Sequence, residues 1–203
     1  MKERPIIFGA PMIRALLDGS KTQTRRIVKP QPPADIEEFL PADPSGFWGF
    51  IGNDPIECIH CQRGDSGDKL WIRETWRAGD VWDESLPSKI PARSEIKYEA
   101  DGSFRSGTPL NEMGRLRSPI FMPRWASRIT LAITRVRVER LHDISEEDAR
   151  AEGCNGDCPV GYIPAHKSSP CVSHFAQLWE SINGAGSWVA NPWVFVLTFR
   201  RAI

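Results

Sequence analysis

Within eight residues, Gly19-Ser20-Lys21-Thr22-Gln23-Thr24-Arg25-Arg26, the chain gathers a flexible glycine, an amine, hydroxyls and two guanidinium groups. Lys21 and Thr24 are the pair that reads at once as base and nucleophile. A threonine hydroxyl attacks a carbonyl only when a base within hydrogen-bond reach takes its proton. Lys21 is such a base only as a neutral amine, so burial or cationic neighbours such as Arg25 and Arg26 must lower its pKa. Glu74, in the strand-like run Lys69-Leu70-Trp71-Ile72-Arg73-Glu74-Thr75-Trp76, offers a carboxylate for the same place. Amine, hydroxyl and carboxylate together would make a small hydrolytic site or a grip for a nucleotide. One objection is geometric: in an extended segment Lys21 and Thr24 point to opposite sides. The site therefore requires residues 19–23 to turn, which Gly19 permits.

Other side chains read as binding groups. Arg26 suits a phosphate or a base carbonyl, because guanidinium matches planar oxygen acceptors; equally, it would pair with an acid such as Asp68 to hold the fold. Arg25 is a second cation at the same place. The chain has eight tryptophans, and Trp76 or Trp125 is the candidate to stack on a base, the others being core. Cys58-Ile59-His60-Cys61 has the spacing of half a zinc site, but Cys154, Cys158 and Cys171 contain no matching Cys-x-x-Cys pair. Unpaired thiols are the expectation, with no metal. No phosphate-cradling glycine loop is present, so no nucleotide or redox cofactor is expected.

The elements that must position these groups read as follows. Residues 10–18 form a short helix with Pro11 in its first turn and Gly19 as its stop. Strands are predicted over Thr24–Val28, Lys69–Trp76 and Glu95–Ala100. Arg128–Leu141 is the clearest strand, with an alternation that slips at Thr134–Val136 as at a bulge. Ser145 caps a helix that opens at Glu146 and ends at Gly153. Ser173–Ile182 is a second amphipathic helix, and Trp193–Arg200 is the last strand, with Trp193, Phe195, Leu197 and Phe199 on one face. Prolines exclude a long helix from residues 30–68, which reads as an inserted loop region with one hairpin near Gly46–Ile51. The expected architecture is a single α+β domain over residues 1–203, built on a small bent β-barrel with a few flanking helices and insertions at about 31–66, 78–94 and 101–119.

With 203 residues and zero net charge, the chain lacks a strongly basic tail, and its five irregularly spaced cysteines fit a reducing compartment. No apolar run approaches the roughly 20 residues of a membrane helix, so a cytoplasmic protein without a membrane partner is the expectation. The neutral average conceals two basic stretches: residues 1–30 hold seven Lys/Arg against two acids, and residues 101–140 hold eight Arg against three acids. Meeting in space, they would form a face for a phosphate-bearing partner; otherwise they are solvated strand faces.

Gly19, Lys21, Thr24 and Arg26 fill a Gly-x-Lys-x-x-Thr-x-Arg motif that resembles the signature of the ASCH family in the PUA-like superfamily. Glu74 in Trp-Ile-Arg-Glu-Thr-Trp, Asp143-Ile144-Ser145 leading to Asp148-Ala149 and Glu152-Gly153, and the tail from Leu178 to Val196 extend the likeness to the longer members found in phages and prophages. The resemblance implies a PUA-like barrel and, from the compact bacterial members, an amidohydrolase that removes the acetyl group from N4-acetylcytidine. It implies a catalytic set of Lys21, Thr24 and Glu74, with Arg26, Arg25 and Trp76 as substrate-binding candidates. The partner is then a modified nucleoside or RNA. Two alternatives stay open at this point: an RNA-binding module with ribonuclease activity, and an accessory protein that uses the fold for protein contacts.

Overall fold

Hydrophobic alternation along β8 (Thr130–Arg140) and β9 (Trp193–Arg201) generates the centre of the molecule, an antiparallel pair with a register shift between Ile133 and Arg135. The shift lies where the alternation slips, because an extra residue must leave the ladder there. In the computed structural model, which describes all residues except 34, 35, 37, 38, 40–45, 51–56, 106–111, 156–169 and 203, this pair is the core of a five-stranded sheet. The strand order is β1 (Glu3–Ile7), β5 (Lys69–Arg73), β8, β9, β2 (Gln23–Ile27). β1 runs parallel to β5 and the other pairings are antiparallel. β1 was not foreseen: Glu3, Arg4 and Pro5 give it no apolar alternation, and only its neighbour β5 makes it a strand.

Two short antiparallel pairs accompany the sheet. β3 (Phe47–Phe50) pairs with β4 (Glu57–His60), the hairpin expected in the proline-rich region, although its connection lies outside the described residues. That region also supplies core: Ile36 and Phe39 are buried, and Phe39 meets Trp193 edge-on at 4.8 Å. β6 (Trp76–Ala78) pairs with β7 (Ile96–Tyr98) over a separate small core with Met122 and Ala126. The predicted strand 69–76 is therefore two strands, interrupted at Glu74 and Thr75.

Each face of β9 covers a different core. Trp193, Phe195, Leu197 and Phe199 pack with Ile6, Phe8, Ile13 and Leu16 on one side. Val194 and Val196 pack on the other against α2 (Glu146–Ala151) and α3 (Pro170–Asn183), where Phe175 and Trp179 are buried. Ser145 caps α2 as expected, accepting from the Asp148 amide at 3.0 Å. The class is α+β, mostly sheet with few helices. The two edges, β1 and β2, are not hydrogen-bonded to each other among the described residues, but both line one cleft. No helix among the described residues is long and apolar enough to cross a membrane.

Candidate functional site

α1 (Ala10–Leu17) ends at Asp18, and Gly19 follows with φ +86°, a conformation that side chains with a Cβ rarely adopt. The chain then folds back. The Lys21 amide donates to the Ala15 carbonyl at 2.9 Å, and the Thr22 amide donates to the Ala151 carbonyl at 2.7 Å. β2 begins only at Gln23, so Lys21 lies in the turn that the sequence required and is not bound by strand alternation. Its side chain is fully buried. Gly153, at φ +91°, makes room for it: a Cβ there would stand 2.9 Å from the Ala15 Cβ and 3.5 Å from the Lys21 Cβ.

The carboxylate that meets Lys21 is Glu152, 131 residues away in sequence. Lys21 Nζ donates to Glu152 Oε2 at 2.7 Å and to the Glu152 carbonyl at 2.8 Å. Burial pushes the Lys21 amine below its ordinary pKa, the Glu152 charge opposes that fall, and the Arg26 charge adds to it. A neutral amine has two N–H groups, and these two acceptors use both, leaving the lone pair to accept a proton.

Thr24 and Arg26 lie on one face of β2, as alternation requires. Arg26 Nη1 donates to Thr24 Oγ1 at 2.7 Å and to the Arg25 carbonyl at 2.8 Å. Burial lowers the Arg26 pKa to about 10, with Glu152 opposing and Arg63 contributing to the fall, so the guanidinium remains charged at neutral pH. The Phe8 ring ties the groups together: Lys21 Nζ lies 5.4 Å and the Arg26 guanidinium carbon 5.3 Å from its centroid. Arg26 makes no pair with Asp68, which is held instead by Arg4 at 2.7 Å.

Arg25 points to the other face. Its guanidinium is wholly buried and reaches Glu139 at 2.7 Å, Glu152 at 3.1 Å and Asp148 at 3.2 Å. Arg25 lines the cleft too, but its guanidinium is engaged by these carboxylates within the fold. Glu74 is also elsewhere: its two oxygens take a fork from Arg128, each at 2.8 Å, and no hydrogen bond or ion pair joins it to Lys21 or Thr24. Trp76 is fully buried in the β6–β7 core beneath the Arg117 guanidinium, which leaves no face for stacking. Phe175 and Trp179 of α3 and Phe195 of β9 share a cleft of about 800 Å³ with Thr24, Arg26 and Glu152. Glu152 carries one sequence signal, its place just before the turn glycine Gly153 at the end of α2.

Cys61, Cys154 and Cys171 are buried, and burial pushes the Cys61 thiol up to about 11. The Cys58 side chain and Cys158 lie outside the described residues, among which no group of three or more His, Cys, Asp and Glu could hold a metal ion.

A threonine hydroxyl pinned by a guanidinium shares the cleft with a carboxylate that holds a buried amine, a set of groups suited to acyl transfer to oxygen once amine and hydroxyl are in reach. No family model, curated protein or solved structure matches this chain.

Proposed function

We propose that this protein is an amidohydrolase acting on N4-acetylcytidine or a related acylated pyrimidine, on a PUA-like barrel whose β1 and β2 edges flank the active cleft. The supporting observation is the buried Lys21–Glu152 pair at 2.7 Å, whose Glu152 lines one cleft with a Thr24 hydroxyl held by Arg26. In this reading Thr24 Oγ1 attacks the acyl carbonyl carbon and its proton passes to neutral Lys21. The remaining Arg26 N–H groups stabilise the oxyanion. The C–N bond breaks as the Lys21 ammonium returns its proton to the departing N4 amine, leaving an acyl-threonine ester. Water then cleaves that ester with Lys21 again as base, releasing the carboxylic acid. Glu152 positions Lys21 and holds part of its basicity; Glu74 acts through Arg128 and not at the reacting atoms.

The RNA-binding alternative drew on the basic stretch of residues 101–140. There Arg117, Arg124, Arg128 and Arg137, four of the eight arginines, each have an acid within 4.0 Å, which lowers the free charge a phosphate backbone would need. The direct test is cytidine release from N4-acetylcytidine by the purified protein, with and without chelator, beside Lys21→Ala and Thr24→Ala. Turnover that survives chelator and is lost in both variants supports the reading. Equal turnover in wild type and Lys21→Ala sinks it.

A further inference from the structure

The fold neutralises its arginines with care at many places and leaves three without an acidic partner in the cleft. Arg4, Arg25, Arg77, Arg124, Arg128 and Arg137 each contact a carboxylate. Arg26, Arg63 and Arg73, which all line the cleft, make no ion pair among the described residues. Among the described residues the Arg63 side chain has a single long hydrogen bond, from Nη1 to the Pro5 carbonyl at 3.4 Å. Arg73 packs its guanidinium 4.6 Å from the Trp71 ring, and its Nε is buried with no hydrogen-bond partner among the described residues. A buried donor left unsatisfied in a native protein costs stability unless something outside the chain accepts from it.

These groups converge on one strand edge. Arg73 is paired with Ile7 in the β1–β5 ladder, so both side chains rise on one face, and Arg63 touches Pro5 two residues earlier on that strand. Two residues of strand separate the contact points by about 7 Å, well within the reach of two arginine side chains to a common acceptor. Lys29 lines the same cleft, whereas the lining carboxylate is Glu152, already engaged by Lys21 and Arg25. Paired guanidinium forks with a cation nearby match a phosphate monoester. The cleft, at about 800 Å³, has room for a nucleotide beyond the acylated base.

We propose that Arg63 and Arg73 form a phosphate subsite in the cleft, so that the substrate is a nucleoside 5′-monophosphate carrying the acylated base, not the free nucleoside. This rests on the amidohydrolase reading for the reaction, but the subsite itself is a binding claim and is tested by binding first. Titration calorimetry with cytidine 5′-monophosphate and with cytidine should show tighter binding of the nucleotide by about ten- to a hundred-fold, the value of one or two charge-assisted hydrogen bonds. Arg73→Ala and Arg63→Ala, each checked for folding by its thermal melt, should both collapse that ratio towards one. Arg135→Ala, on the exposed part of β8, should leave it intact. The kinetic arm compares kcat/KM for N4-acetylcytidine and its 5′-monophosphate and should show the same preference and the same collapse. Equal binding of nucleotide and nucleoside by wild type overturns the subsite, as does a preference that survives both arginine variants. Tighter binding of a short cytidine-containing oligonucleotide than of the monophosphate overturns the monoester in favour of a polymer. Nucleotide binding that depends on both arginines, without turnover of either substrate, upholds the subsite and refutes the amidohydrolase.

Discussion

Replacing Arg25 with methionine separates a structural arginine from a substrate-binding one. Three cations, Lys21, Arg25 and Arg137, interleave with three carboxylates, Glu139, Asp148 and Glu152, at 2.7–3.2 Å. With Lys21 protonated the set is electrically balanced, and Arg25→Met takes one positive charge from it behind α2. Breaking a buried pair by removing one partner costs about 3–5 kcal/mol. Here Glu139 and Asp148 keep Arg137 and Glu152 keeps Lys21, so the lower end applies. A loss of about 3 kcal/mol corresponds to a Tm lower by about 6–12 °C for a chain of this size. Burial pushes the Asp148 carboxyl up, but Arg137 and Arg25 outweigh it and hold it below the usual range. Its stabilisation is thus complete above the unfolded value of about 3.9 and is lost as pH falls through the lower folded value. The gap between wild type and variant should be full at pH 7 and should close below about pH 4. Urea unfolding at pH 7 and at acid pH measures both. A variant within about 1 kcal/mol of wild type at pH 7, or a gap that widens with acid, would refute the reasoning. Unchanged stability with a raised KM would return Arg25 to the substrate.

Other expectations follow from the same geometry. Lys21 must be neutral to act, so kcat/KM should rise with pH through its lowered pKa; Glu152→Gln removes the charge opposing that fall and should move the rise to lower pH, and movement to higher pH would contradict the assigned role. Gly153→Ala combines a positive φ with a 2.9 Å approach to Ala15, so it should cost about 2–5 kcal/mol in a thermal or urea melt and slow turnover by displacing Lys21. Glu74→Gln weakens one of the two acids on Arg128, which keeps Asp101 at 2.8 Å, and should lower stability by about 1–3 kcal/mol with kcat near wild type. A fall in kcat of about a hundred-fold at unchanged stability would instead put Glu74 at the reacting atoms.

Much of the framework was legible because it is written in local patterns. Met12, Ile13 and Leu16 followed by a glycine announce α1 and its stop; Ser145 before three acids announces α2; alternation announces β8, its bulge and β9. The Lys21–Thr24–Arg26 spacing was equally plain, since a glycine that can turn, an amine and a hydroxyl lie within one short segment. What no local pattern holds is which distant charge meets which. Glu74 and Glu152 are both glutamates at the ends of regular elements, and the glycine after Glu152 marks a turn without saying which charge that turn will meet. Tertiary packing brings the end of α2 against the turn after α1, which delivers Glu152 to Lys21, while the end of β5 delivers Glu74 to Arg128. The same holds for Arg25 and Arg26, adjacent residues given different partners by strand alternation, one locked among carboxylates and one bonded to the Thr24 hydroxyl. Residue types and spacing determined which chemistry was available to this chain; only the fold, by burying some charges beside partners and leaving others without them, decided which residues are placed to perform it.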